Sequence, residues 1–202
     1  MVEGPRAAKG VGAGLVPARL ESSQTLGRHK ACPYMQMPMS TQISAVIITA
    51  SDACAVGERE DASGETLVQL LTELGARIVA KEIVNDDLEP LAGKLREYSD
   101  RADVNLIVTT GGTGFGPRDN TPEATLRVIE REAPGLAEAM RIETLKHTPM
   151  AMISRGVCGI RSATLILNLP GSPKAVRESF EVIRPVLSHA VALLAGNTSH
   201  EK

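Results

Sequence analysis

Three aspartates occupy places where a chain could put them to chemical use. Asp52 follows the apolar run 43–49, Asp86 follows the alternating run Arg77 to Val84, and Asp119 lies in the glycine-rich segment that begins at Thr109. That segment reads Thr109-Thr110-Gly111-Gly112-Thr113-Gly114-Phe115-Gly116-Pro117-Arg118-Asp119. Gly111, Gly112 and Gly114 permit positive φ and carry no Cβ, so the backbone around Thr113 can close on a ligand and aim N–H groups at an anion. A second corner, Asn168-Leu169-Pro170-Gly171-Ser172-Pro173-Lys174, has a capping serine, a proline for the first helical position and a lysine beside it. Carboxylates beside a phosphate seat point to a hard cation, most plausibly Mg2+, held through one or two carboxylates and phosphate oxygens. Asp86 and Asp119 are the candidate acids for that role, Ser51 and Asp52 offer a hydroxyl and a third carboxylate, and Arg118, Arg155, Arg161 and Lys174 are candidate phosphate contacts.

Rival chemistries find less support. The glycine loop lacks the Gly-Lys-Ser/Thr ending of a P-loop and the spacing of a dinucleotide fingerprint. The four histidines, at 29, 147, 189 and 200, have no serine or cysteine in a telling context, so nucleophilic catalysis is a poor fit. Transfer of a phosphoryl-type group to an anionic acceptor needs no activating base, only orientation and neutralised charge.

Positioning these residues requires a particular order of elements. The β-branched run 43–49 predicts a first strand ending at Ala50-Ser51-Asp52. Asp61 predicts the cap of a helix carrying Leu67, Leu70, Leu71 and Leu74, stopped by Gly75. Arg77 to Val84 predicts a strand, Asp87 the cap of a helix over 88–98, and Val104 to Thr109 a strand buried on both faces. Thr121 and Pro122 predict the start of a helix reaching Arg131, and Pro134-Gly135 begins another with Leu136, Met140 and Leu145. The mixed patch 149–160, with Ser154-Arg155-Gly156 in its middle, yields no regular element. Thr164 to Leu169 predicts a final strand, followed by a helix from Pro173 to about Leu194. Alternating strands and helices predict an α/β domain in three layers, a mostly parallel sheet flanked by helices. Ligands of such sheets bind beyond the carboxyl ends of the strands, where Ser51, Asp52, Asp86 and both glycine corners fall.

Bulk properties agree with one such domain. The chain has 202 residues, 43% hydrophobic and 23% charged, enough for a substantial core. Residues 1–38 hold five Lys/Arg against two acids, so the remainder, with 17 against 22, is mildly acidic and argues against a nucleic-acid partner. The absence of tryptophan, with only two Tyr and two Phe, removes base-stacking platforms. Cys32, Cys54 and Cys158 have no metal-ligand spacing and suggest reduced thiols in a cytoplasmic setting. No apolar run approaches the roughly 18 residues of a membrane helix. Residues 1–38, rich in Gly, Ala and Pro, predict a disordered basic tail, conceivably a transit peptide or the product of an upstream start. The domain would then run over 39–196, with a short tail at 197–202.

The segments Thr109 to Asp119, Thr121-Pro122-Glu123-Ala124-Thr125, Ser154-Arg155, Gly159-Ile160-Arg161 and Leu167 to Ser172 occur in order. Together they resemble the MogA/MoaB family of molybdenum cofactor biosynthesis, nearest its molybdopterin adenylyltransferase branch, which includes the G domains of gephyrin and its plant counterpart. The resemblance covers about 43–195. It implies a usually trimeric α/β domain that transfers AMP from Mg-ATP to the terminal phosphate of molybdopterin, releases pyrophosphate, and hands its product to a molybdate-inserting enzyme. It also implies that ATP is co-substrate, that Asp86 and Asp119 are the critical acids, and that the glycines of the loop and the turn Pro170 to Ser172 line the pocket; the candidate binding set is Ser51, Asp52, Gly111, Gly112, Thr113, Gly114, Arg155, Asn168, Pro170, Gly171, Ser172 and Lys174. Asn85 stands where relatives often carry proline, which frees the backbone before Asp86. The alternative is a MoaB-like or scaffold protein that binds molybdopterin or nucleotide without transferring adenylate.

Overall fold

The computed structural model describes Met1 and residues 41–197. The tail expected over 1–38, and nearly all of that over 197–202, fall outside the described residues. Thirteen elements follow in order: β1 Ser44–Ala50, α1 Asp52–Ala55, α2 Ala62–Glu73, β2 Arg77–Val84, α3 Leu88–Ser99, β3 Leu106–Thr110, α4 Thr121–Leu126, β4 Arg131–Glu132, α5 Pro134–Thr144, a 3-10 turn Pro149–Ile153, β5 Cys158–Arg161, β6 Thr164–Leu169 and α6 Pro173–Leu194.

The strands form one six-stranded sheet in the order β2-β1-β3-β6-β5-β4. β2, β1, β3 and β6 run parallel, and β5 and β4 add an antiparallel edge. The continuous apolar runs of β1, β3 and β6 are explained by burial on both faces. Ala45, Ile47, Leu106, Val108, Leu165 and Leu167 pack toward α2, α5 and α6, whereas Val46, Ile48, Ile107 and Ile166 pack toward α3 and α4. Period-2 alternation therefore divides one apolar string between two cores. Each fully buried Leu or Ile contributes roughly 1.5 to 3 kcal/mol. The edge strand β2 carries three charged side chains, Arg77, Lys81 and Glu82, in the manner that discourages further strand pairing.

Register decides where the strands end. Ala50 pairs with Val84, Thr49 with Thr110, and Thr110 with Leu169. The four parallel strands thus finish level, and the residues that follow them leave from one edge at the usual strand spacing of about 4.8 Å.

Several boundaries differ from expectation. α4 has six residues and ends at Leu126, because β4 pairs with β5 and takes Arg131 and Glu132 out of helical register. Asn120, not Thr121, is the N-cap of α4, and neither side chain caps it. Asp87 stands at the N-cap of α3 without a capping hydrogen bond, since its carboxylate accepts instead from Asn85 and Arg118. Asp61 and Ser172 cap as expected, accepting from Gly64 N at 2.8 Å and Ala175 N at 3.3 Å. The segment 149–160 does hold regular structure, a 3-10 turn and strand β5.

Candidate functional site

The glycine loop is shaped by what its backbone must avoid. Gly111 has φ +93°, and a Cβ there would lie 2.2 Å from the Ala50 carbonyl oxygen. Gly112 has φ +60°, and a Cβ would meet Thr121 Oγ1 at 2.5 Å and Asp86 Oδ1 at 3.2 Å. Both positions are closed to other residues by conformation and by space. Thr121 puts its hydroxyl to another use than capping: Oγ1 donates to Gly111 O at 2.8 Å, while its N–H donates to Gly112 O at 3.1 Å.

Arg155 braces the far side of the loop. Its Nε donates to Gly114 O at 2.6 Å, Nη2 to Asp119 O at 2.5 Å, and Nη1 pairs with Glu123. Its backbone N–H donates to Thr113 O at 2.9 Å. Expected as a phosphate contact, Arg155 is instead committed to protein oxygens, because three carbonyls of a loop without helical hydrogen bonds need a donor. Asp119 is folded back over the same loop, accepting from Gly116 N at 2.7 Å.

The β6 corner is stapled to this loop. Thr110 Oγ1 donates to Pro170 O at 2.8 Å and Gly111 N to Leu169 O at 3.3 Å. Gly112, Thr113, Gly114, Asp119, Asn168, Pro170, Gly171 and Ser172 line one cavity of about 410 Å³. The two corners therefore open onto a shared cleft, as the strand order requires.

Beside it, Asp86 and Asp52 exchange hydrogen bonds: Asp52 N donates to Asp86 Oδ2 at 2.9 Å, and Asp86 N donates to Asp52 Oδ1 at 3.0 Å. Arg118 grips Asp52 with two donors, at 2.6 and 2.9 Å, and reaches Asp87 at 3.0 Å. The Arg118 guanidinium and the Asp86 amide hold the Asp52 carboxyl below the usual carboxylate range. Asp86 is shifted the other way, upward, by burial first and then by the charges of Asp52 and Asp119. Among the described residues, neither Asp86 nor Asp119 has an ion-pair partner. Two carboxylates without an ion-pair partner, close enough for the charge of Asp119 to raise the Asp86 carboxyl, suit a divalent cation. No group of three metal-ligating side chains occurs among the described residues, so such a cation would complete its shell with phosphate oxygens and water.

Other expected residues are placed differently. Asp86 lies behind Gly112 rather than on the cavity wall, close enough to constrain that glycine. Ser51 caps α1, accepting from Cys54 N and Arg59 Nη2, and Asp52 is held by Arg118; neither lines the cavity. Lys174 does not enter the cavity either: its side chain is 80% exposed and pairs at 3.7 Å with Glu178, because its place at the start of α6 points it outward. Arg161 is a structural link from β5 to Asp100 and Val128 O. Asn168 does line the cavity, but its amide is spent on the hydroxyls of Thr109 and Thr125 and the N–H of Val157.

Sequence reasoning missed the apolar lobe of the cavity, formed by Ala137 and Met140 of α5 and by Met150, Ala151 and Ile153 of the 3-10 turn. It also missed Glu178 and Ser179 on α6. Thr148-Pro149 was a readable start signal for the turn, and Ala175, Glu178 and Ser179 share the three- and four-residue spacing of one helix face. No helix of the described residues is long and apolar enough to cross a membrane.

An α/β sheet with a ligand cleft at its carboxyl edge, two glycine corners and acids without counter-ions defines a class of protein that handles anionic, phosphate-bearing ligands. The family described as a probable molybdopterin binding domain matches residues 46–189, and the chain belongs to it, in its MogA/MoaB branch. The chain is 46% identical over 154 residues to the molybdenum cofactor synthesis protein cinnamon of Drosophila melanogaster, a match covering 76% of this chain and 26% of that protein. It is 41% identical over 153 residues to a molybdopterin adenylyltransferase of Helicobacter pylori, covering 75% of this chain and 87% of that one. The crystal structure of the molybdopterin biosynthesis enzyme MoaB from Thermus thermophilus superposes with a TM-score of 0.73 at 48% identity, covering 77% of this chain and 98% of that one. The chain thus spans about a quarter of the insect protein but nearly the whole of the bacterial ones.

Proposed function

We propose that the protein is a molybdopterin adenylyltransferase of molybdenum cofactor biosynthesis. The terminal phosphate of molybdopterin attacks the α-phosphorus of ATP; a new P–O–P bond forms, the bond to the β-phosphate breaks, and pyrophosphate leaves. The acceptor oxygen is already anionic, so no residue needs to remove a proton. The observation that carries the reading is the single cavity closed by both glycine corners with Asp119 on its wall. Loop amides at Gly112 to Gly114 and at Gly171 to Ser172 hold phosphate oxygens, and Asp119 and Asp86 would hold a Mg2+ ion accompanying ATP, whose charge would offset repulsion between the two anions. Arg155 and Thr121 act at one remove by fixing the loop.

The likeness to the bacterial adenylyltransferases supports the reaction, and the exposed apolar side chains Ile142, Leu145, Met150 and Met152 support assembly as a homotrimer. A cytoplasmic location and delivery of the product to a molybdate-inserting enzyme belong to the same reading. Purified protein given molybdopterin and Mg-ATP is expected to release pyrophosphate stoichiometric with adenylylated molybdopterin. Pterin binding without any consumption of ATP would instead support a MoaB-like binding role.

A further inference from the structure

The cavity has two unlike ends. Toward the glycine corners its wall is largely backbone amide and small side chains; toward α5 it is mostly apolar, with Ala137, Met140, Met150 and Ile153 beside the polar Arg141, Thr144 and Thr148. At 410 Å³ the whole is within the range of small-ligand pockets. A flat ring suits the apolar end, where polarisable thioethers can lie against it in place of the aromatic side chains this cavity lacks.

Two charged groups interrupt the apolar wall, Arg141 and Glu178, and Arg141 is committed through Nη1 to Gly156 O at 2.9 Å. Glu178 projects from α6 into the lining, with its side chain 19% exposed, and accepts no hydrogen bond among the described residues. Its ion pair with Lys174 is long, 3.7 Å, and Lys174 is 80% exposed, so solvent screens it and the carboxylate keeps nearly all its acceptor capacity. An ionised carboxylate only accepts, and two adjacent N–H groups on one ring edge satisfy it best.

We propose that Glu178 binds the 2-amino-4-oxopyrimidine edge of the pterin ring, seating that ring in the apolar end of the cavity with its phosphate arm directed toward the glycine corners. This deepens the reading of the cavity as the molybdopterin site and rests on it. The 2-amino group and the neighbouring ring N–H form the paired donors that a carboxylate matches. Adenine is a poor occupant of the same place, because its ring nitrogen beside the amino group would turn a lone pair toward Glu178. The adenylyl group therefore belongs at the other end, near Asp119. The hollow beside the loop, lined by Phe115, Gly116 and Glu123, is less suited to the pterin edge: one Glu123 oxygen is taken by Arg155 and the other is shut off from solvent.

Calorimetric titration of the full chain with pterin-6-carboxylate and lumazine-6-carboxylate tests this, since the second probe replaces the 2-amino group by an oxygen. The wild type should favour the pterin by roughly 10- to 100-fold, the range expected for one or two hydrogen bonds to a charged group. Glu178→Gln should erase the preference while leaving Mg-ATP affinity in place, and Glu178→Asp should retain part of it. Equal wild-type affinity for the two probes overturns the inference, as does a Glu178→Gln protein that keeps the preference. A variant whose main loss is in GTP binding overturns it too, because guanine shares the same edge. If the wild type prefers the pterin yet never turns over ATP, adenylyl transfer fails and the role of Glu178 stands.

Discussion

The two corners of the cleft are built on different principles. The β6–α6 corner starts its helix locally: Ser172 caps a 22-residue helix with Pro173 in its first turn, while the Leu169 and Pro170 carbonyls accept from Gly111 N and Thr110 Oγ1 of the other corner. The β3–α4 corner leads into a helix of only six residues without a side-chain cap, and it holds its shape through residues far away in sequence, Arg155 above all. The acids are also divided unequally, with Asp119 on the β3–α4 corner and Asp86 against it. The contrast assigns the β6 corner the part of a stiff wall and the β3 corner the part of the charged, tertiary-braced face where the reaction is assisted.

Alanine at the two glycines separates the corners most sharply. Gly111→Ala forces a Cβ onto the Ala50 carbonyl at positive φ and should cost about 3 kcal/mol or more. Gly171→Ala meets Gly111 Cα at 3.2 Å and Gly111 N at 3.7 Å, and should cost about 1 kcal/mol. Urea unfolding of the two variants measures the difference; equal costs would erase the distinction.

Charge gives the next effect. Asp119→Ala should lower pyrophosphate release by about 10²- to 10³-fold, and Lys174→Ala, outside the cavity, should stay within about twofold. A large loss at Lys174 would mean that the β6 corner contributes charge after all.

Asp86 sharpens the contrast through stability. Its carboxyl is raised by burial and by two neighbouring acids, so the folded state holds its proton more tightly than the unfolded chain does. Its stabilising contribution is complete below the unfolded pKa and is lost as pH rises through the folded one, which makes the charged form a liability at neutral pH. Asp86→Asn keeps the acceptor for Asp52 N and should stabilise the protein by about 0.5–2 kcal/mol at pH 7, an advantage that shrinks toward pH 4, while adenylyl transfer falls. Thermal scans across pH read this directly.

The smallest expected effect is a negative one. Burial pushes the Cys158 thiol up to about 12, so iodoacetamide at pH 8 should leave it unmodified until the sheet opens.

The same contrast explains what could be read in the sequence. Strands β1, β2, β3 and β6 and helices α2, α3, α5 and α6 were legible because their apolar periods and local stop signals coincide. Ser172 and Asp61 were legible as caps for the same reason. The roles of Thr121, Arg155 and Lys174 were not, since each depends on a partner supplied by tertiary structure: Gly111 O for Thr121, three loop oxygens for Arg155, open solvent for Lys174. Strand β5 and the 3-10 turn were hidden in a patch whose apolar residues serve a cavity and an edge rather than a core with a period. Glu178 carries no signal beyond its place on a long helix, and only the fold brings it into one cavity wall with Ala137 and Met140 of α5.

The most direct test is a crystal structure of the protein with Mg2+ and a non-hydrolysable ATP analogue. The account predicts phosphates lying between Gly112–Gly114 and Gly171–Ser172, with the cation against Asp86 and Asp119 and the apolar end left for the pterin. A triphosphate seated away from both corners, or a cation bound with Asp86 and Asp119 still uncoordinated, would contradict it.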